Sequence, residues 1–308
     1  MRALLLSALL VSGLLACERP FDPPLPDGPL ELVVEGYIEG GEVPTPPYVL
    51  LTRSQSFFAE LDAATLEGLF VRNAQITVRT DDATVQLQEF CLDELSDTQK
   101  ALAAQFLGIS LDDLAINFCI YTDLSGSLVG QIGKTYELEV LAEGQTLTAV
   151  TTIPAHVAVD SLFFVPPPGA PNDTLVQARL LVEDIADSAN FYRYFTEVNG
   201  AGFRAPYPSV ADDRLFDGQR FELPLAKAED RDAEFDITTN GLFTRGDSVC
   251  IKWTNLDRAH FDFWNTLEFN AANQGPFSSY TRVDHNIEGG IGIWGGYSNS
   301  IYCGIADY

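Results

Sequence analysis

The chain has 308 residues, of which 44 are acidic and 18 are basic, so its formal net charge at pH 7 is −26. This charge excludes a protein that binds the nucleic-acid backbone, because such binding requires a basic surface. Hydrophobic residues make up 46% of the chain, enough for a folded core, and the length allows two domains of ordinary size.

The first 16 residues have the layout of a secretory signal peptide. Arg2 supplies a positive charge, and residues 3–15 form an apolar core that is too short to span a bilayer. The core ends in LLAC at residues 14–17, the pattern of a bacterial lipobox, in which the cysteine thiol receives a diacylglycerol. We therefore predict cleavage before Cys17 and lipidation of its side chain. The alternative is a soluble exported protein with an ordinary cleavage site.

The residues after the cysteine indicate how the protein is held at a membrane. Glu18 stands where the inner-membrane retention signal has aspartate, so we expect sorting to the outer membrane, with the protein facing either the outside or the periplasm. Residues 17–29 contain the proline-rich stretch PFDPPLPDGP and predict an extended tether. No later stretch has 18 consecutive apolar residues, so the lipid is the predicted membrane contact.

Four cysteines follow Cys17, and an even number in an exported chain predicts disulfides. Four cysteines allow three connectivities. We favour Cys91–Cys119 and Cys250–Cys303, because each bridge then stays inside one predicted domain. This pairing counts against a role for these thiols as nucleophiles or metal ligands.

Most of the sequence after the tether predicts short strands. Residues 32–38 are apolar and β-branched, and apolar and acidic residues alternate over 136–140 with the period of a half-buried strand. Glu143-Gly144 then predicts a hairpin turn. The predicted fold class is mainly β, with two antiparallel sandwich-like domains, of which the first (30–155) is an immunoglobulin-like sandwich of about seven strands.

A small helical insert interrupts the first domain. Residues 96–99, Ser-Asp-Thr-Gln, have the pattern of a capping box, which predicts the start of a helix. The insert covers residues 92–116 and lies between Cys91 and Cys119, so a disulfide would tie its base to the sheet.

The second predicted domain, 156–308, contains further strands and one long helix. Strands are predicted at 235–239 and 248–253, and the helix is predicted at 255–272 from apolar residues at helical spacing. His260 lies on the apolar face of this helix, and we expect it to be a core histidine and not a ligand.

The sequence GGIGIWGG at 289–296 contains the G-x-G-x-x-G pattern of dinucleotide-binding loops. That fingerprint requires a strand and a glycine turn that opens a helix. Here apolar residues separate the glycines, and the segment after Gly295 predicts a strand. We interpret these glycines as positions where another element, the long helix or the aromatic sheet face, packs close to a strand. No cofactor is predicted.

Catalytic and metal-binding patterns are weak. The three histidines are far apart and no G-x-S-x-G elbow occurs, so we assign no catalytic residue and predict that the chain is not an enzyme. Asp212, Asp213 and Asp217 are weak calcium candidates, but the segment lacks the twelve-residue calcium-loop pattern and ordinary turn chemistry explains it better. Trp294 and Tyr297 are candidate ligand contacts, although burial in the core is the commoner fate of such a tryptophan.

Several segments occur in an order that spans nearly the whole chain. They are the lipobox Cys17, LVVEGYI at 32–38, GKTY at 133–136, DRLFDGQ at 213–219, GPFS at 275–278 and NIEGGIGIWGGYS at 286–298. Together they resemble the Bacteroidota outer-membrane lipoprotein family known as domain of unknown function 4249. The helical insert departs from the hairpin that is more usual in that family.

The resemblance implies an outer-membrane lipoprotein without known enzyme activity. Members are often associated with TonB-dependent outer-membrane transporters, and the first half looks like the prealbumin-type modules that such transporters carry. The family supplies no catalytic residues to transfer to this chain.

Three hypotheses for the function follow. The leading one is a lipid-anchored outer-membrane accessory or ligand-binding protein, acting beside a TonB-dependent transporter in nutrient uptake. The alternative is a structural or adhesive surface module with calcium or glycan contacts. A third is a hydrolase with a cleft of carboxylates between the domains, but nothing in the sequence indicates its substrate.

Overall fold

Strands dominate the structure, a computed structural model that describes residues 30–42, 44–55, 62–101, 116–169, 172–229, 236–272 and 282–308. The predicted mainly β class is confirmed. The strands are β1 (Leu32–Gly41), β2 (Tyr48–Arg53), β3 (Gln75–Arg79), β4 (Thr84–Cys91), β5 (Cys119–Thr122), β6 (Thr135–Ala142), β7 (Gln145–Thr152), β8 (Val159–Val165), β9 (Leu175–Glu183), β10 (Phe191–Val198), β11 (Val210–Asp212), β12 (Arg220–Leu225), β13 (Phe243–Thr244), β14 (Ser248–Leu256) and β15 (Ile291–Ile305). Helices include α1 (Ala63–Gly68) and α2 (Arg258–Ala272).

One large sheet connects both halves of the chain. Among the described residues it contains eleven strands, in the order β11-β10-β14-β15-β1-β2-β5-β4-β3-β6-β7. Its neighbours are antiparallel, except that β1 and β15 run parallel from Val33↔Ile291 to Gly41↔Asn299. Thr148 of β7 and Glu288 exchange two backbone hydrogen bonds of 3.1 and 2.8 Å, so the sheet curls until its β7 edge meets the segment that leads into β15.

The curled part of this sheet encloses the N-terminal core. Along β6, Tyr136, Leu138 and Val140 are at most 2% exposed, and the residues between them face outward, as the alternation predicts. Trp294 of β15 is fully buried in the same core, where its indole nitrogen donates to the carbonyl oxygen of Tyr136 at 3.1 Å. Strand β15 therefore belongs to the N-terminal core as well as to the C-terminal half.

A second, smaller sheet covers one face of the C-terminal half. Its central strand β9 pairs with β8, β12 and β13. The inward residues of β9, every second one from Val176 to Val182, are 0% exposed and pack with Ile251 and Trp253 of β14. Two sheets packed through alternating apolar residues make this part sandwich-like.

The described residues between 31 and 308 form one compact unit that holds both cores. The predicted boundary between residues 155 and 156 falls between β7 and β8, and the division into two domains stays a prediction. The predicted signal peptide, Cys17 and the tether lie outside the described residues. In the part of the chain that the structure describes, no helix combines the length and the apolar character that crossing a bilayer requires.

Both predicted disulfides are present, which confirms the favoured connectivity. Cys91–Cys119 joins β4 to β5 and Cys250–Cys303 joins β14 to β15, in each case between directly paired residues. The predicted capping box is also present, because Ser96 N donates to the Gln99 side chain at 2.9 Å and residues 97–101 are helical. The rest of the insert, 102–115, lies outside the described residues.

The long helix begins at Arg258, three residues later than predicted. Asp257 caps it, since the backbone N–H of His260 donates to Asp257 Oδ1 at 2.8 Å and that of Phe261 to the Asp257 carbonyl at 3.0 Å. Residues 254–256 continue β14 instead, because they are paired with β10 on one side and β15 on the other.

The predicted strand at 235–239 is wrong. Residues 237–240 form turns, and the Asp236 carboxylate accepts from both the backbone N–H (2.9 Å) and the hydroxyl (2.6 Å) of Thr238. A side chain that bonds its own backbone two residues on stabilises a turn in place of a strand ladder. Residue 235 lies outside the described residues.

Candidate functional site

A cavity of about 400 Å³ lies on the face of the large sheet that carries α2. Successive residues of a strand point to opposite faces of the sheet. Along each strand, the side chains that line the cavity therefore alternate with side chains that pack in the core on the other face. The lining side chains include Glu35, Tyr37, Tyr48, Arg193, Phe195, Glu197, Phe203, Lys252, Thr254, His260, Trp264, Tyr297 and Asn299.

The strand registers bring residues from distant parts of the chain into rows across the cavity floor. Arg193 of β10 is opposite Thr254 of β14, which is opposite Asn299 of β15. The next row places Phe195 beside Lys252. Sheet pairing therefore fixes the relative positions of these side chains.

Arg193 is the central charged group of the site, and its side chain is 9% exposed. Its Nε donates to the Ser209 hydroxyl at 2.9 Å. The guanidinium carbon lies 3.5 Å from the ring centre of Trp264 and 4.9 Å from that of Phe195, and Nη2 is 4.0 Å from Glu268 Oε1. Among the described residues, the two terminal nitrogens make no hydrogen bond. Burial lowers the pKa of the guanidinium, but an arginine stays protonated at neutral pH.

A buried ion pair forms another part of the floor. Glu39 is 1% exposed and pairs with Lys252, and its carboxylate also accepts from the Asn299 amide nitrogen and from the hydroxyl and backbone N–H of Thr45. The Lys252 ammonium lies 5.2 Å from the ring centre of Tyr297. The carboxylate has partners on several sides, as a buried charge requires.

Aromatic rings and a second carboxylate line the opposite side. The Tyr37 hydroxyl donates to Glu35 Oε1 at 3.0 Å, and burial raises the pKa of the Glu35 carboxyl. The ring of Tyr37 stacks on His260 with centroids 5.2 Å apart, and it contacts the rings of Tyr48 (5.5 Å) and Tyr297 (6.4 Å) edge-on. These contacts fix the orientation of the rings.

His260 reaches this cluster because β15 has a glycine beneath it. A Cβ atom on Gly295 would lie 2.6 Å from Cγ and Nδ1 of the imidazole, closer than side chains approach one another. This confirms that the glycine serves the packing of the long helix. His260 is 1% exposed, and burial, followed by the charge of Arg193, lowers its pKa to about 3, so the ring is neutral at neutral pH.

The model of a protein family, the domain of unknown function DUF4249, matches residues 18–301 of the chain. The chain belongs to this family. No curated protein and no solved structure matches it. The lining residues of the cavity, from Glu35 to Ile301, all lie within the matched region. The cavity therefore lies within the part of the chain that the family model covers.

The two aromatic residues predicted as ligand contacts have different positions in this DUF4249 chain. Tyr297 lines the cavity. Trp294, three residues earlier on β15, points to the other face and is 0% exposed in the N-terminal core. Trp294 is therefore not presented to a ligand, which corrects its assignment as a candidate contact.

The acidic candidates are only partly brought together. Asp213 and Asp217 join Asp184, and their carboxylate oxygens lie within 4.8 Å of one another. Asp212 is not part of this cluster but pairs with Arg214 at 2.7 Å. The cluster also supports the turn before β12, because Asp184 accepts from the backbone N–H of Gly218 at 2.8 Å and Asp213 accepts from that of Asn190 at 2.6 Å.

Sequence reasoning missed the central groups of the cavity. Arg193 stands in the middle of the aromatic strand sequence Phe-Tyr-Arg-Tyr-Phe at 191–195, where an arginine is unusual. Glu35 and Lys252 likewise interrupt apolar strands. The sequence signal that could have identified these groups is a charged residue inside a buried strand. Burying a charge is costly unless the charge is paired or serves a site.

Proposed function

We propose that this DUF4249 protein is a non-enzymatic, lipid-anchored accessory protein of the outer membrane that binds a small ligand beneath α2. It acts beside a TonB-dependent transporter in nutrient uptake. The observation that carries ligand binding is the cavity of about 400 Å³ around Arg193, whose terminal nitrogens make no hydrogen bond among the described residues.

The composition of the cavity favours binding. Its volume lies within the range of about 300–1,000 Å³ found for small-molecule pockets, which are mostly aromatic and apolar with a few placed polar groups. The terminal N–H groups of Arg193, which make no hydrogen bond among the described residues, present a rigid fork of donors to a ligand.

His260 and Arg193 are poorly suited to proton transfer. Efficient general acid–base catalysis requires a pKa near the working pH, and the pKa of His260 is lowered to about 3. Its Nε2 is also inaccessible to solvent and has no hydrogen-bond partner among the described residues. Arg193 stays protonated, so it serves charge and hydrogen bonding and not proton exchange.

A ligand screen tests the binding proposal. Thermal unfolding of the purified protein is measured with small nutrients, and a compound that raises the melting temperature is tested again with Arg193→Met and Arg179→Met. Arg179 is the matched control, since it lies on β9 in the small sheet and pairs with Glu222 at 2.9 Å. We expect the shift to persist in the control and to disappear in Arg193→Met. Equal shifts in both folded variants contradict binding at this cavity.

The membrane part of the proposal rests on the lipobox sequence and is tested separately. We expect mass spectrometry of the protein from its native membrane to find a mature chain that begins at Cys17 and carries acyl groups.

Purification of the tagged lipoprotein from outer membranes in mild detergent is expected to recover a TonB-dependent barrel. Recovery of no barrel under any growth condition removes the transporter assignment.

The carboxylate cluster favours the second candidate function, a structural or adhesive surface module that uses calcium. Asp184, Asp213 and Asp217 offer hard oxygen ligands, which calcium prefers. Under this alternative, calcium raises the melting temperature relative to a chelator, and Asp217→Asn removes the difference. Identical melting temperatures with calcium and with chelator exclude a structural calcium site.

A further inference from the structure

We propose that the cavity binds a neutral carbohydrate, either one or two sugar rings or the end of a longer glycan. This inference rests on the proposed ligand-binding function and names the class of ligand. Three properties of the lining lead to it: its already paired cations, its aromatic side chains and its mixture of hydrogen-bond donors and acceptors.

The lining carries charges of both signs. It contains two carboxylates, Glu35 and Glu197, and two cations, Arg193 and Lys252. Behind this surface, Lys252 is paired with the buried Glu39. An anionic ligand would find both lining cations already beside carboxylates, so burial of its charge in this site would be unfavourable. A neutral ligand avoids this cost.

The arrangement of these charges also counts against an amino acid or a short peptide. A zwitterion needs one subsite for its ammonium group and another for its carboxylate. Lys252 already has Glu39 as its partner, and Nη2 of Arg193 faces Glu268 at 4.0 Å. Each cation of the cavity therefore has an anion beside it, so no unpaired cationic subsite remains for the carboxylate of such a ligand.

Flat aromatic faces give the cavity its apolar surface. Tyr48, Phe195, Phe203, Trp264 and Tyr297 line it and are partly exposed. A pyranose ring has apolar C–H faces, which lose contact with water when they pack on an aromatic ring. Rigid aromatic side chains provide such contact area at low cost in conformational entropy.

The polar groups suit hydroxyls. A hydroxyl group both donates and accepts, so it satisfies a donor and an acceptor at the same time. Arg193 offers terminal N–H donors, and Glu35 offers a carboxylate that already accepts from Tyr37 at 3.0 Å. Neighbouring sugar hydroxyls are spaced for the two-pronged geometry of a guanidinium or a carboxylate.

Intrinsic fluorescence tests the inference, because the chain has three tryptophans and Trp264 lies at the cavity, whereas Trp253 and Trp294 are 0% exposed. The purified protein is titrated with neutral α- and β-linked gluco-, manno- and galacto-oligosaccharides. The comparators are galacturonic acid and the dipeptide phenylalanyl-glycine. We expect at least one neutral sugar to give a saturable change in emission.

Two controls identify the site and the nature of the contact. The fluorescence change should disappear in Trp264→Phe and persist in Trp294→Phe. The dissociation constant for the neutral sugar should vary by less than about twofold between 0.05 and 0.5 M NaCl, since salt screens only charged contacts. Arg193→Lys keeps the charge but loses the planar fork, and should weaken sugar binding by at least about tenfold, while Arg179→Lys leaves it unchanged.

The outcomes separate this inference from the function on which it rests. Binding of galacturonic acid or the dipeptide, without binding of any neutral sugar, overturns the carbohydrate assignment but supports a ligand-binding cavity. Failure of every probe, in this titration and in the wider nutrient screen, overturns both. A neutral sugar that binds equally well to Trp264→Phe and Arg193→Lys by calorimetry places its site elsewhere and also overturns the inference.

Discussion

Gly295 and His260 meet where β15 runs beneath α2. The imidazole occupies the space where any larger residue at position 295 would place its Cβ. The absence of a side chain at Gly295 lets the helix approach the sheet closely, and the same histidine stacks on Tyr37 of the cavity lining. A single missing side chain therefore affects the position of a whole helix.

Substitution of Gly295 by alanine should destabilise the protein. The new Cβ would lie 2.6 Å from a ring that is packed on all sides, so either the helix or the strand has to move, at a cost of about 1–3 kcal/mol. Urea unfolding measures the change. Gly68→Ala is the control, since a Cβ there meets nothing within 4 Å, and its stability should stay equal or rise. Equal stabilities of the two variants contradict the close packing.

The stability contributed by His260 should depend on pH. Its pKa is lowered from 6.5 to about 3 on folding, so between these values the unfolded chain binds a proton that the folded chain does not. Stability is therefore lost as the pH falls below 6.5. From pH 7 to pH 5, the unfolding free energy of the wild type should drop by about 2 kcal/mol relative to His260→Phe. Parallel pH profiles of the two proteins contradict a buried neutral imidazole.

For individual residues, the sequence predicted which side chains are buried better than it predicted which ones line the cavity. The position of His260 on an apolar helix face predicted a core residue, because helical periodicity reports which face is buried. Arg193 was not found, since its role depends on Trp264 and Ser209, which lie 71 and 16 residues away in the sequence (264 − 193 and 209 − 193). Contacts of this kind follow from strand register and helix packing, which local patterns do not encode.

Secondary-structure elements were predictable where their signals are local. Glu143 and Gly144 both have positive φ (51° and 76°), as the favoured two-residue hairpin turn requires, and β6 and β7 flank them as expected. The start of α2 was placed three residues early. Asn255 and Leu256 fit a helix locally, but pairing with β10 and β15 keeps them in β14, so tertiary pairing determines their conformation.

The bridge between β14 and β15 should contribute strongly to stability. Cys250 and Cys303 are 53 residues apart, and on the chain-entropy model closing a loop of this length stabilises the fold by about 4 kcal/mol. The double variant Cys250→Ala/Cys303→Ala should lose about this amount in guanidinium unfolding. A loss below about 1 kcal/mol contradicts the prediction. The corresponding Cys91/Cys119 variant, with a separation of 28 residues, should lose slightly less.

The whole molecule carries a large excess of negative charge. With a formal charge of −26, like charges repel across the surface and destabilise the compact state, and salt screens this repulsion. The melting temperature should therefore rise by a few degrees between about 0.02 and 0.5 M NaCl. Several monovalent salts at equal ionic strength should give the same rise. A melting temperature that falls or stays constant with salt contradicts the prediction.

The overall fold was predictable as a class but not as a topology. Alternating apolar residues and turn signals predict strands, and these strands form packed sheets as expected. The sequence did not indicate that one sheet continues through both halves. That continuity depends on the pairing of β1 with β15, whose residues Val33 and Ile291 are 258 positions apart (291 − 33), and no local pattern reports such a partner.

The pairing of the first strand with the last has a consequence for how the molecule is made. Synthesis delivers Leu32 long before Ile305, yet β1 and β15 are neighbouring strands inside the large sheet. Strand β1 can pair with β2 as the chain emerges, but its other edge has to wait for β15. Closing so long a loop makes for slow folding, during which an unpaired strand edge stays exposed to aggregation. A chaperone that binds the chain until β15 can pair with β1 would protect this exposed edge.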